Sequence, residues 1–376
     1  IILGEYMKNF SNDIIFLIGD ITEKGGIERV TINLANSLCS FFNVTIISLY
    51  KKNQNINFYL NKNVNIKYIN ENYEISMYNR KLPNIRGLFF DIKYIIKKRI
   101  KLKKFISKNA IVVSSDIKTT CLLLYLKKKI TIIAIEHFEY NVASNILNKI
   151  RKLTYNKLAA VVSLTPEDKN SYTSWLDSTK HFVIPNIIHA PIEVLPYEQK
   201  KNVIVAVGRL TTQKGFDLLL SAWGEIEHNG WQLRIIGEGE DKQKLLTQIK
   251  LKKIKDVTLV NYTTDIDHEY NQAKIFILSS RYEGLGMVLL EALSHGLACI
   301  SYDCPAGPKS ILSKKNGILV RNGDVSSLAI NIYKLINNES LIRHLNKIGP
   351  SSIDEYKEDS VLKKWMTLIK NVQEKR

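Results

Sequence analysis

Twelve short apolar runs, six on each side of a proline-rich break, restrict what this chain can fold into more than any other feature. In the first half they are Asp13–Gly19, Val44–Tyr50, Val64–Ile69, Ala110–Ser114, Thr131–Glu136 and Ala159–Leu164. Each ends in turn residues and alternates with helical patterns, the rhythm of βαβ units. The stretch Pro185–Pro196 holds three prolines and little periodicity. After it the rhythm restarts with Asn202–Val207, Leu233–Ile236, Val257–Val260, Ile275–Leu278, Ala298–Ser301 and Gly317–Val320. Apolar spacing predicts helices over Phe216–Trp223, Asp241–Lys253 and Met287–His295, the last closed by Gly296 as C-cap. Val361, Leu362, Trp365, Leu368 and Ile369 predict a terminal helix within Ser351–Lys370. The fold class is α/β: a doubly wound domain over 1–185, a linker over 186–200, a second such domain over 201–350 and a C-terminal helix in 351–376.

Charge and cysteine usage narrow the function classes. The 376 residues carry 54 Lys/Arg against 36 Asp/Glu, a net +18. The excess sits in the first half, where residues 1–185 hold 28 basic against 14 acidic residues, leaving 26 against 22 for 186–376. Such a field attracts a polyanion, a phosphorylated substrate or an anionic membrane. No apolar run approaches the roughly 20 residues of a spanning helix, and residues 1–10 lack the layout of an export signal. Cys39, Cys121, Cys299 and Cys304 form no Cys-x-x-Cys pair, so neither a zinc site nor a disulfide framework is expected, and a reducing cytoplasm is the expected home. Met7 reads as a natural start, with residues 1–6 as an upstream extension.

In open parallel sheets ligands bind beyond the carboxyl ends of strands, so the loops after the runs are where chemistry is expected. After the first run, Gly25-Gly26-Ile27-Glu28-Arg29 opens a helical pattern; glycines there let a phosphate approach helix-start N–H groups, although a plain turn explains them too. Gly237-Glu238-Gly239 lacks the third glycine of a dinucleotide fingerprint and reads as a turn. Gly208-Arg209 and, five residues on, Lys214-Gly215 place two cations on one loop, where they converge on a diphosphate or are solvated. Ser280–Glu291 carries Glu283 on a loop and Glu291 on a helix. Were both helical they would lie about 12 Å apart, too far for the ~5–9.5 Å carboxylate pair of a glycoside hydrolase. The alternative is a ligand gripped at two points, with the N–H groups of Gly286, Met287 and Val288 facing a phosphate and the carboxylates accepting from hydroxyls. His137 follows Thr131–Glu136 at a sheet edge, as a structural or a functional histidine. Asp265-Ile266-Asp267 looks like a metal-holding Asp-x-Asp, but precedes a helical stretch where such acids serve as caps.

Together these residues resemble the family 4 retaining glycosyltransferases of the GT-B fold: Gly25-Gly26-x-Glu28-Arg29, Glu136-His137, Ile184-Pro185-Asn186, Gly208-Arg209 with Lys214-Gly215-Phe216-Asp217, Gly237-x-Gly239, and Glu283 with Glu291. Asp303-Cys304-Pro305-Ala306-Gly307-Pro308 resembles a segment of bacterial exopolysaccharide, capsule and O-antigen enzymes. The resemblance implies two Rossmann-like domains facing across a cleft, with the C-terminal helix packing back on the first. It implies a hexosyltransferase that moves a hexose or N-acetylhexosamine from a nucleotide sugar, a UDP-sugar being expected, with retention and without a metal or other cofactor. Arg209 and Lys214 would hold the diphosphate, Glu283 and His137 the transferred sugar, Glu291 the ribose, and Gly25, Gly26 and Gly208 would leave room. The narrower resemblance implies a polyprenyl-diphosphate-linked or other lipid-linked glycan acceptor and surface-polysaccharide (O-antigen, lipopolysaccharide or capsule) synthesis.

Residues 91–108 hold eight Lys/Arg against one acid, with Ile92, Ile95, Ile96, Ile100, Leu102, Phe105 and Ile106 as an apolar stripe. That pattern fits peripheral docking on the anionic inner face of the cytoplasmic membrane, or a core helix with a basic outer face. A soluble acceptor is the alternative on the same scaffold. A nucleic-acid-binding module is the alternative from +18 alone, disfavoured because few aromatics interleave the cations and Glu283 would repel phosphates, so no nucleic-acid partner is expected.

Overall fold

A computed structural model describes residues 13–81 and 84–375. Met7 and residues 1–6, read as start and extension, lie outside the described residues. The chain divides into two compact units, one running to Ile187 and resuming at Glu358, the other Ile188–Lys357.

The first unit is built on seven strands: β1 Asp13–Ile18, β2 Asn43–Ser48, β3 Asn65–Tyr68, β4 Ile111–Ser114, β5 Thr131–Glu136, β6 Ala160–Ser163 and β7 His181–Val183. They lie in the order β3-β2-β1-β4-β5-β6-β7, every neighbouring pair parallel. β4, β5 and β6 are buried throughout, as unbroken apolar runs covered on both faces must be. The edge strand β7 was not legible in the sequence, because three residues just before Pro185 carry no periodicity.

The second unit repeats the plan with β8 Val203–Val207, β9 Gln232–Ile236, β10 Val257–Val260, β11 Ile275–Leu278, β12 Ala298–Asp303 and β13 Gly317–Arg321, in the order β10-β9-β8-β11-β12-β13. In both sheets the strand order reverses beside the first strand, at β1/β4 and at β8/β11, and there the connections leaving the two adjacent strands go to opposite sides and open a crevice. The Phe216–Trp223 helix falls where its periodicity placed it, with Leu219, Leu220 and Trp223 fully buried.

Two boundaries differ from the sequence reading. Much of the segment read as a linker packs on the second unit: the Ile188 N–H donates to Tyr356 O at 2.9 Å, and the buried Lys200 ammonium to His295 O at 3.0 Å. The terminal helix starts at Glu358 rather than near 351, since Pro350 lies in a short 3-10 turn and Ile353 and Tyr356 are buried in the second unit. The Glu358–Glu374 helix then returns to the first unit. It buries Val361, Trp365, Leu368 and Ile369, and its Glu358 Oε1 accepts from the Ser37 hydroxyl on the Gly26–Leu38 helix at 2.5 Å.

The basic stripe is also revised. Within the Asn84–Leu102 helix, Tyr94 and Leu102 are buried, Ile95 packs on the first unit's core, and Lys98, only 2% exposed, pairs with Glu74. Phe105 and Ile106, also expected in the stripe, pack on that core as well. The exposed apolar residues are Ile85, Leu88, Phe89, Ile92, Ile96 and Ile100.

Candidate active site

The loops after β8 and β11 sit side by side because their strands do. β8 ends before Gly208-Arg209, and a single 3-10 turn, Thr212–Lys214, leads into Gly215. Gly215 has φ +64°, and a Cβ there would lie 2.0 Å from Ser279 O on the β11 loop. Only glycine permits that approach. From the other side, residues 279–286 run into the Met287–Ser294 helix through Gly286, whose φ of +88° turns the chain into its first turn. Intrahelical bonding begins with the Leu289 N–H on Gly286 O at 2.9 Å, so the N–H groups of Gly286, Met287 and Val288 form the positive end of this helix.

Lys214 and Glu283 were assigned separate duties from sequence, the diphosphate and the sugar. The structure joins them: the Lys214 ammonium donates to Glu283 Oε1 at 2.6 Å, and the Ser280 hydroxyl donates to the same oxygen at 2.6 Å. Glu283 is 7% exposed, so its charge is matched rather than solvated. Ser280 was not singled out in the sequence; its signal was only adjacency to the loop glycines. Arg209 is exposed, and its guanidinium has no hydrogen bond or ion pair with a described residue. Two cations thus stand at one crevice in different states, one internally neutralised and one uncommitted.

Glu291 lies about one turn into the Met287–Ser294 helix and is 4% exposed. Its Oε2 accepts from the Tyr270 hydroxyl at 3.0 Å, and its backbone carbonyl from His295 Nδ1 at 2.8 Å. Tyr270 was another unrecognised member, a buried aromatic whose polar end finds this carboxylate. Asp265 caps the Ile266–Gln272 helix, accepting from the His268 N–H at 3.2 Å. Asp267 points elsewhere, its Oδ1 lying 3.3 Å from His295 Nε2. Among the described residues no group of three or more His, Cys, Asp or Glu is arranged to hold a metal ion.

In the first unit, Gly25 and Gly26 start the Gly26–Leu38 helix after β1, and His137 follows β5. Burial pushes the imidazole of His137 down to about 4, so it is neutral at physiological pH. Its Nε2 makes no hydrogen bond with a described residue. The ring lines a cavity of about 20 Å³ with Thr31, Asn186 and Trp365, room for about one water. Immediately before it, Glu136 is fixed by Arg151 at 2.5 Å and by the Tyr155 hydroxyl. Burial raises the Glu136 carboxyl although Arg151 opposes this.

Comparisons with known proteins agree with this architecture. Two parallel-sheet, Rossmann-like units make up the GT-B fold. The chain is similar in structure to Staphylococcus aureus TarM, crystallised as a mutant with fondaparinux, α-GlcNAc-glycerol and UDP: TM-score 0.79, 16% identity, covering 95% of this chain and 99% of that one. Residues 191–352 match the family described as glycosyl transferases group 1. Over 364 residues the chain is 29% identical to the amylovoran biosynthesis glycosyltransferase AmsD of Erwinia amylovora, covering 95% of this chain and 99% of the relative. Over 366 residues it is 25% identical to the GalNAc-alpha-(1->4)-GalNAc-alpha-(1->3)-diNAcBac-PP-undecaprenol alpha-1,4-N-acetyl-D-galactosaminyltransferase of Campylobacter jejuni, covering 95% and 98%. Its relatives are bacterial polysaccharide glycosyltransferases.

Proposed function

We propose that this protein is a retaining, family 4 hexosyltransferase. It moves a hexose or N-acetylhexosamine from a nucleoside-diphosphate sugar, a UDP-sugar by preference, to a lipid-linked glycan during bacterial surface-polysaccharide synthesis. The observation that carries this is the crevice beside β8 and β11, where Arg209, the Lys214–Glu283 pair and the amino end of the Met287–Ser294 helix come from adjoining loops. Breaking the bond between the sugar's anomeric carbon and the phosphate oxygen leaves the electron pair on the diphosphate. Arg209, Lys214 and the helix N–H groups stabilise that charge as it develops. The acceptor hydroxyl attacks from the face the leaving group occupied, and its proton passes to a departing phosphate oxygen. Glu283 accepts from the sugar's hydroxyls, Glu291, steadied by Tyr270, accepts from the ribose, and neutral His137 is a hydrogen-bonding group the first unit offers to substrate. The relative that carries PP-undecaprenol in its name and the UDP in the TarM crystal support the acceptor and donor classes.

The site of action in this reading is the inner face of the cytoplasmic membrane, reached without a spanning helix. Among the described residues no helix is long and apolar enough to cross a membrane. Support comes from the Asn84–Leu102 helix, whose rotation is fixed by buried Tyr94 and Lys98 so that Ile85, Phe89, Ile92, Ile96 and Ile100 face outward. Residues 84–135 hold thirteen Lys/Arg against two acids. Apolar insertion plus about 1 kcal/mol per surface cation suits anionic lipid.

The test is a thermal-shift panel of nucleotide sugars followed by transfer assays on polyprenyl-diphosphate-linked and soluble glycans. Stabilisation by one donor family with transfer to the lipid-linked acceptor is expected. Absence of any nucleotide-sugar effect defeats the assignment, and equal use of soluble acceptors defeats the lipid-linked part. Vesicle flotation that ignores anionic lipid defeats the membrane part.

A further inference from the structure

The loops that carry Lys214 and Glu283 are held together mainly by one side chain that the mechanism does not use. The Arg281 Nη1 donates to Thr212 O at 2.6 Å and to Asp217 Oδ1 at 2.9 Å, while Nη2 donates to Asp217 Oδ2 at 2.7 Å. Its backbone completes the joint: the Arg281 N–H donates to Gln213 O at 2.8 Å, and Arg281 O accepts from Asn322 Nδ2 at 3.1 Å. Gln213 Nε2 returns to Tyr282 O at 3.1 Å, and the Ser279 hydroxyl to Lys214 O at 2.9 Å. The three residues Thr212–Lys214 are therefore bound, one after another, to residues 279–282.

We infer that Arg281, clasped by Asp217, is a positioning residue that sets where the Lys214 ammonium stands, an inference that rests on the function proposed above. Only a planar fork serves here, because the guanidinium must meet both oxygens of one carboxylate and a main-chain carbonyl at once. A lysine reaches one of them. Both partners are about one-third exposed, so removing the clasp leaves no deeply buried charge and the unit's core untouched. The turn that carries Lys214 then loses its fixed distance to Glu283. A misplacement of about 1 Å costs transition-state stabilisation on the order of 100-fold while donor binding, carried by Arg209 and the helix end, persists.

The experiment compares wild type with R281K, R281A and D217N by thermal melting, amide hydrogen exchange and donor kinetics. Expected are folded variants, exchange at residues 211–215 faster by about tenfold or more with strand amides unchanged, and kcat lower by about 10- to 100-fold with KM for the donor changed less than about threefold. R281K is expected to fail as R281A does. Wild-type kcat in R281K overturns the inference, because charge alone then suffices. A loss confined to KM overturns it too, as does exchange unchanged at 211–215. If the wild-type protein transfers no sugar, the proposed function falls while the exchange result still judges the clasp.

Discussion

Lys214 and Glu283, 69 residues apart in sequence, share a 2.6 Å ion pair at the crevice of the second sheet. The carboxylate both neutralises the lysine and aims it, so the two are one unit rather than two contacts.

Removing either partner should reveal that unit. K214A is expected to lower kcat by about 100- to 1,000-fold, and E283Q by a similar order, with the double variant little worse than either alone. Asp265 is a helix cap, so D265A should leave kcat within about twofold of wild type and cost about 1 kcal/mol of stability. Steady-state kinetics with urea unfolding checks both; equal, mild losses in all these variants contradict the site.

Gly215 should resist substitution. A Cβ at 2.0 Å from Ser279 O, at φ +64°, meets backbone on both counts, and the neighbouring turn cannot yield without moving Lys214. G215A is expected to cost more than about 2 kcal/mol and to lower turnover together with stability. A variant as stable and active as wild type removes the close approach.

His137 should remain uncharged across the working range. Burial lowers its imidazole to about 4, whereas the unfolded chain protonates near 6.5, so stability associated with it falls as pH drops from about 6.5 toward 4. Its imidazole NMR signals are expected to be flat from pH 5.5 to pH 8 or so; a midpoint near 6.5 would show that the ring is solvated.

Asp168 moves the other way. Burial lifts its carboxyl to about 7, against the opposing pull of the Tyr140 N–H it accepts at 2.9 Å. A raised acid destabilises the fold once ionised, so this contribution worsens as pH rises from about 4 to 7 and is complete above that. D168N, which keeps an acceptor for Tyr140, should therefore raise the melting temperature more at pH 8 than at pH 5. The reverse order would mean the carboxylate is stabilised where it sits.

The sequence was most legible where local pattern and burial agree. β5 and β11 fall at the limits their apolar runs predicted because runs buried on both faces leave no competing pattern, and the Phe216–Trp223 helix and the partly exposed edge strand β10 fall at their predicted limits too. β7, the one of the thirteen described strands for which no run was predicted, had too few residues to show a period. Loop residues were recognisable as types but not as partners. Arg209, Lys214, Glu283 and Glu291 stood out by chemistry and place, whereas Ser280, Tyr270 and Arg281 work through contacts with residues 3 to 69 positions away. The apolar stripe shows the same limit. Helical spacing grouped Ile95 with Ile96, but the burial of Tyr94 and of Lys98 on Glu74 sets which of them faces the core.

Val361 and Trp365, from the last helix, line the cavity beside His137. The first unit therefore lacks a wall until the residues from Glu358 onward have been added, while the second unit, Ile188–Lys357, is continuous and needs none of them. A chain cut after Lys357 would keep every residue of the second lobe and leave the first lobe open beside its histidine.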